Sequence, residues 1–487
     1  RGGDNVSHLW TGSEIAAATS GRLCADFAVT GVSIDSRAVA SGDLYVAIRG
    51  DRLDGHRFTK DALAKGAGGA LVDHIPEGLD DKAPLVVAAE TTEALADLGR
   101  AARGRTQARI IGVTGSVGKT GTKEAIATLL AGAGETHATA GNLNNHWGLP
   151  LSLARMGRYA RYGVLEMGMN HAGELDALSR IARPHVAVIT TVTNAHLEYF
   201  DGPEGIADAK SELFNGAEPD ATAVLNRDNP HFERMRANAA KAGIENLLTF
   251  GEATNADCRL LSTEPAEIGQ RLTGQRLTGQ RVEVGFLGET LTYDIGAAGR
   301  HYALNSLAVA CAVHAAGADL RALLGRFALV TAPKGRGRQS RINLADGPAT
   351  LIDESYNASP EAMRAGFRVL AEGKAGRRIA VLGDMLELGP EGARLHAGLA
   401  DDLKNLGIDQ VYTCGSLMAH LQDALPKTQR AGHAKDSETL LPLVLAGLRA
   451  GDRVMVKGSA GSRMGVIVSA LSVGTNTADK EGGAASL

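Results

Sequence analysis

Residues 109–128 read R-I-I-G-V-T-G-S-V-G-K-T-G-T-K-E-A-I-A-T, and this stretch decides the fold. The run 110–113 is apolar and β-branched, as a buried strand requires, whereas 120–130 has helical composition. The segment Thr114-Gly115-Ser116-Val117-Gly118 therefore joins a strand to a helix, and phosphate belongs at such a junction. Glycines let backbone N–H groups turn inward without Cβ clashes. The helix start adds unpaired donors and a positive dipole end, and Lys119 brings a mobile ammonium. Thr120 follows, with a hydroxyl suited to a magnesium ion. Five residues separate Gly112 from Gly118, one more than the general P-loop spacing, which argues against simple kinases and GTPases. The plainer alternative is a tight turn with a surface lysine, but strand, loop, Gly-Lys-Thr and helix fall in the order a phosphate site needs.

Outward from this stretch, the chain of 487 residues is too long for one core and should divide into about three domains at roughly 150 residues each. The expected boundaries are 1–107, a small α/β domain; 108–334, a P-loop domain with a mainly parallel sheet; and 335–487, a second, Rossmann-like α/β domain. With 51 basic and 55 acidic side chains the net charge is -4, which gives no global attraction to nucleic acid or to acidic membranes. The four cysteines, Cys24, Cys258, Cys311 and Cys414, are widely spaced and form no CxxC pattern, as in a reduced cytosolic chain. No apolar run reaches the ~18 residues that span a bilayer and no signal-peptide pattern opens the chain, so a soluble, intracellular protein is expected.

In the first domain, alternating apolar strands separated by polar turns surround Asp35-Ser36-Arg37 and Asp54-Gly55-His56. Ser36 and Arg37 read either as a ligand edge or as turn capping with a solvated guanidinium. In the second domain, strand candidates lie at 162–167, 185–192 and 221–225, and functional residues should follow their C-terminal ends. Glu166 closes the first, a charge at an otherwise apolar strand end, and His196 follows the second; both could converge on a cation near Thr120. Lys210 lies in an amphipathic helix, 206–214, where pattern alone assigns it to the wet face. The repeat Arg271-Leu272-Thr273-Gly274-Gln275 and Arg276-Leu277-Thr278-Gly279-Gln280 reads as a hairpin elaboration without chemistry. A basic, glycine-rich linker, Pro333-Lys334-Gly335-Arg336-Gly337-Arg338, precedes the third domain, whose strand ends again carry polar loops. Residues 475–487 are small and polar, and are expected to be disordered.

Taken together, Thr114-Gly115-Ser116-Val117-Gly118-Lys119-Thr120, Gly141-Asn142-Leu143-Asn144-Asn145-His146, Glu166-Met167-Gly168-Met169, Asn194-Ala195-His196, Ala209-Lys210-Ser211-Glu212, Asp353-Glu354-Ser355-Tyr356-Asn357-Ala358 and Leu382-Gly383-Asp384-Met385-Leu386-Glu387-Leu388-Gly389 resemble the Mur ligases of peptidoglycan synthesis. The resemblance runs in order from Asp35-Ser36-Arg37 to Lys457-Gly458-Ser459, and its third-domain motifs are most similar to those of the dipeptide-adding member.

The resemblance implies a cytoplasmic, monomeric ligase that uses ATP and Mg2+. It would join D-alanyl-D-alanine to UDP-N-acetylmuramoyl-tripeptide through an acyl phosphate, without nucleic-acid or membrane partners. Carried over by motif, Gly115, Ser116, Val117, Gly118, Lys119, Thr120 and Gly121 would bind ATP, with Asn305 on the adenine side and Arg336 and Asp353 from the third domain. Thr120, Glu166, His196 and Lys210 would serve the metal ions, Lys210 as a carbamate. Lys119, Lys210, His196 and Arg336 would be catalytic. Ser36 and Arg37 would read the UDP end, and Asn144, Asn145 and Asn357 the peptide or the acceptor. Two departures stand out: Arg336 and Arg338 both occupy the hinge, and Ala460-Gly461-Ser462 intervenes between Lys457-Gly458-Ser459 and Arg463.

Overall fold

The structure is a computed structural model that describes residues 8–50, 53–193, 200, 202–269, 276–372, 376–386 and 388–473. His196 and its neighbours 194–199, the first copy of the short repeat (271–275) and the tail 475–487 lie outside the described residues. The chain divides into two compact units, Arg1–Val330 and Thr331–Leu487. The division falls just ahead of the glycine-rich linker.

Within the first unit, the strand Arg109–Thr114 lies in the interior of the larger sheet, third from one edge. Its neighbours are Tyr162–Glu166 on one side and Val186–Ile189 on the other, both parallel to it. All three strands are buried almost throughout, which is why they read as continuous apolar runs rather than alternating ones. Beyond them the sheet continues in parallel through Thr136–Ala138 at one edge and through Thr222–Asn226, Asn246–Gly251 and Cys258–Gly269 on the other side. It ends in two antiparallel pairings, to Arg276–Phe286 and Glu289–Ile295. The second copy of the short repeat, 276–280, begins the strand Arg276–Phe286. The strand order reverses at Arg109–Thr114: the chain leaves it to one side for 136–138 and 162–166, then crosses to the other for 186–189. Ligands bind doubly wound sheets outside the strand ends at such a reversal, and the Gly-Lys-Thr turn is placed there.

A five-stranded sheet precedes it, Arg22–Leu23, Leu85–Val87, Gly69–Val72, Asp43–Val46 and Gly31–Ser33 in spatial order, parallel except at the Arg22–Leu23 edge. Residues 1–107 and the P-loop region do not separate into two compact units, because one apolar cluster runs from Trp10, Val29 and Leu44 through Leu98 and Ile110 to Leu149 and Leu165. Polar contacts reinforce it: Trp10 Nε1 donates to the Ala154 carbonyl (2.8 Å), and Arg155 Nε donates to the Val32 carbonyl (2.6 Å).

In the second unit, Arg338–Leu344 pairs antiparallel with Gly347–Glu354, and the sheet continues in parallel through Arg453–Lys457, Arg378–Gly383, Gln410–Cys414 and Arg430–Ala434. All four cysteines are free. No helix among the described residues is long and apolar enough to cross a membrane.

The base of the P-loop strand carries a titratable support. His185 Nδ1 accepts the Ile110 N–H at 2.9 Å, which requires a neutral ring nitrogen. Burial, with Arg103 and Arg109 nearby, lowers its pKa from 6.5 to about 4. A depressed histidine stabilises the fold above its unfolded pKa and loses that contribution as pH falls through the folded one. The urea midpoint of the wild-type chain is therefore expected to drop between pH 6.5 and about 4, and His185→Gln to flatten that drop. A midpoint difference between the two that is independent of pH would contradict this.

Candidate active site

The loop after Arg109–Thr114 is tied at several points to the segment that follows the neighbouring strand. Ser116 N–H donates to the Thr191 carbonyl (2.8 Å), Thr190 Oγ1 donates to the Val117 carbonyl (2.6 Å), and Thr193 N–H donates to Ser116 Oγ (3.0 Å). Asn229, largely buried, braces that segment from below, its Nδ2 donating to Thr191 Oγ1 and to the Val192 carbonyl, both at 3.0 Å. Two glycines are required by this packing. Gly118 has φ 90°, and a Cβ there would approach Asn305 Nδ2 to 3.0 Å; a Cβ at Gly115 would run into Thr190 Oγ1. Asn305, from the helix Arg300–Ala315, is thereby set against the turn into the P-loop helix.

That helix, Lys119–Leu130, begins at Gly118, and no described side chain caps it. Its first N–H groups and its dipole face the loop, the arrangement that receives an anion. Lys119 Nζ donates to the Gly115 carbonyl at 2.6 Å and to that of Ser116 at 3.4 Å, so the ammonium lies over the same turn.

Beside it, the register of the sheet sets Glu166 opposite Val113, at the same level as the start of the loop. Glu166 is 1% exposed. Asn144 Nδ2 donates to its Oε1 at 2.8 Å, while Oε2 is buried without a hydrogen-bond partner among the described residues. Thr120 Oγ1 is likewise buried and unpartnered among them. Such orphaned oxygens are costly unless something else satisfies them, and two hard oxygen donors are the chemistry that a magnesium ion takes. The residues present fit a divalent cation.

Lys210 lies in the last turn of the helix Pro203–Ser211 and is 2% exposed, so the wet-face assignment from pattern does not hold. Burial, with the positive charge of Lys119 as the second cause, drives its pKa well below that of an ordinary lysine.

Comparison with known proteins matches three family models in chain order: the Mur ligase family catalytic domain over residues 28–103, the Mur ligase middle domain over 113–313, and the Mur ligase glutamate ligase domain over 337–460. The UDP-N-acetylmuramoyl-tripeptide--D-alanyl-D-alanine ligase of Rickettsia prowazekii is 30% identical over 94% of this chain and 99% of its own length. That of Escherichia coli is 33% identical over 92% of this chain and 94% of its own. The chain belongs to the Mur ligase family. Among solved structures it is similar to MurF from Acinetobacter baumannii (TM-score 0.82, 28% identity, 95% of this chain and 98% of that one). It is also similar to MurF from Thermotoga maritima in complex with ADP (TM-score 0.73, 27% identity, 92% and 98%). The three-domain α/β architecture with a parallel central sheet is that of these structures.

Other expected site residues of this Mur ligase are engaged locally. Arg37 forms a two-pronged pair with Asp35 (2.9 and 2.8 Å), while Ser36 accepts from Lys65 Nζ through its carbonyl at 3.0 Å. Asn145 Oδ1 accepts the Gly148 N–H at 2.9 Å and so caps the helix Gly148–Ala154. In the second unit, Asp353 is buried and holds the linker: its Oδ2 accepts the Gly335 N–H (2.8 Å) and its Oδ1 the Ser355 hydroxyl (2.6 Å). Arg336 stacks over the Tyr356 ring at 4.2 Å, whereas Arg338 enters the first strand of that sheet. Lys457, buried, donates to Glu354 Oε2 (3.1 Å) and to the Asn357 carbonyl (3.0 Å), tying two of the quoted motifs together. A cavity of about 220 Å3 opens nearby, lined by Asp384, Cys414, Lys435, Glu438 and Arg463 among others.

In the sequence Asn229 reads only as part of a polar turn, 226–230, suited to a ribose or base, and Lys457 only as part of Lys457-Gly458-Ser459; Thr190, inside the strand expected at 185–192, receives no role, although its place at the end of a strand that borders the P-loop strand is a signal.

Proposed function

We propose that this Mur ligase joins D-alanyl-D-alanine to UDP-N-acetylmuramoyl-tripeptide, converting ATP to ADP and phosphate. The observation that carries the reading is end-to-end likeness to ligases of that name, coupled to a P-loop that opens beside a buried carboxylate. A carboxylate does not acylate an amine directly, because oxide is a poor leaving group. In the first step a tripeptide carboxylate oxygen attacks the γ-phosphorus of ATP, the bond to the β-γ bridging oxygen breaks, and ADP leaves. In the second the dipeptide amine attacks the acyl carbon, loses a proton, and phosphate departs with its electron pair.

Each half of the reaction gathers anionic oxygens, and the chain supplies the counter-charges. Lys119 and the N–H groups of residues 115–121 hold the phosphates of ATP, with Asn305 on the nucleoside side and Arg336 and Asp353 as further nucleotide-binding residues. Thr120 and Glu166 would hold one Mg2+, with His196 and a carbamate of Lys210 serving a second. When bound, Mg2+ neutralises charge on the transferring phosphoryl group. Ser36 and Arg37 contact the UDP end, and Asn144, Asn145 and Asn357 the peptide side. Residues 1–107, 108–334 and 335–487 act as the UDP-substrate, ATP and acceptor domains of a cytoplasmic monomer.

The test is acceptor choice. With ATP, Mg2+ and the tripeptide nucleotide, phosphate release is expected with D-alanyl-D-alanine and not with meso-diaminopimelate, lysine or D-glutamate. Release with one of the single amino acids and none with the dipeptide would overturn the reading.

A further inference from the structure

Lys123 lies one turn beyond Lys119 on the P-loop helix, and its side chain is fully buried. A buried ammonium costs several kcal/mol unless its donors are matched. Lys123 Nζ donates to Glu124 Oε1 at 2.5 Å and to the Thr139 carbonyl at 2.6 Å. Glu124 is half exposed and needs no partner to remain solvated, so the directed contact is the one to Thr139.

Thr139 occupies a special position. The edge strand Thr136–Ala138 has just ended, and Thr139 N–H still donates to the Val164 carbonyl at 3.0 Å. Its hydroxyl takes the place of the next ladder acceptor and receives the Glu166 N–H at 3.1 Å. Glu166 is therefore held at two points: its backbone by Thr139, and its Oε1 by Asn144, which is itself fixed because its carbonyl accepts the Gly168 N–H at 2.8 Å. Both supports leave Oε2 bare.

We propose that Lys123 is a positioning residue for the carboxylate of Glu166. Its ammonium clamps Thr139 from the helix side, so that the helix carrying Thr120 and the strand carrying Glu166 keep one spacing and present their two unpartnered oxygens to a single divalent cation. The inference rests on the reading that Thr120 and Glu166 hold that cation. Nothing in the loop's phosphate contacts passes through Lys123, so its removal should loosen the metal and spare the nucleotide.

The experiment uses the full chain and Mn2+ as probe. Mn2+ is titrated in the presence of ADP and followed by the electron paramagnetic resonance of the free ion, while ADP binding without metal is measured by calorimetry. Lys123→Met is expected to weaken Mn2+ about tenfold, the range for losing a supporting contact behind a ligand, with metal-free ADP affinity within about twofold of wild type. Glu166→Gln is the control. If Glu166→Gln weakens Mn2+ and Lys123→Met does not, the positioning role is overturned. If Glu166→Gln leaves Mn2+ unchanged, the metal reading itself fails and the proposal with it. An equal loss of metal-free ADP affinity in Lys123→Met assigns the residue to the phosphate loop and also overturns the proposal. Should Lys123→Met not fold, Thr139→Val, which keeps the carbonyl and deletes the hydroxyl, decides on the same criteria.

Discussion

Replacing Lys119 by alanine is expected to lower the turnover of the ligase about a thousandfold while leaving its fold intact. The ammonium lies over the loop, bonded to the Gly115 and Ser116 carbonyls, at the end of a helix that no described side chain caps. Charge on the γ-phosphoryl group is redistributed during transfer, and a preorganised cation in a site shielded from water contributes more there than it does to ground-state binding. The cost should therefore fall mainly on kcat, measured as phosphate release at saturating ATP. The variant should melt close to wild type, because the hydrogen bonds of Lys119 to the Gly115 and Ser116 carbonyls lie within three or four residues of it in the chain. A rate within tenfold of wild type would remove Lys119 from the reacting phosphates.

Lys210→Ala should be nearly as inactive, and a small carboxylate such as acetate should restore part of the loss. The side chain is buried, and both its burial and the charge of Lys119 favour the neutral amine. A neutral amine has the lone pair that attacks carbon dioxide: the N–C bond forms, one N–H proton leaves to water, and the product is an anionic carbamate. The modification exchanges repulsion between two lysines for attraction between a carbamate and Lys119. Wild-type activity should accordingly fall when bicarbonate and dissolved carbon dioxide are stripped from the buffer, and Lys210→Ala should be indifferent to them. Full activity in Lys210→Ala, or no rescue by any small carboxylate, would take Lys210 out of the site.

Much of this arrangement was legible in the sequence for local reasons. Gly115, Gly118, Lys119 and Thr120 are neighbours in the chain, and the order strand, turn, helix fixes where they point. Glu166 was legible because a carboxylate at the end of an apolar strand has few bland explanations. Lys210 was misplaced by pattern, since helical periodicity reports which face is apolar and not how deeply each end of the helix is buried; only the family resemblance proposes it for the site. The donation from Asn144 to Glu166 is a contact between residues 22 apart that no local rule reveals. Thr139 and Lys123 were missed for the same reason, as the end of an edge strand is invisible to composition. The shared core of residues 1–107 with the P-loop region was hidden too, because apolar residues announce burial without naming their partners.

Activation of the tripeptide carboxylate by ATP leaves an isotopic trace when tripeptide nucleotide labelled with 18O in its terminal carboxylate is turned over with ATP and D-alanyl-D-alanine. Attack by that carboxylate on the γ-phosphorus transfers one labelled oxygen per turnover into the released inorganic phosphate, and mass spectrometry of the phosphate should find it. Phosphate free of label, with amide still formed, would contradict the account.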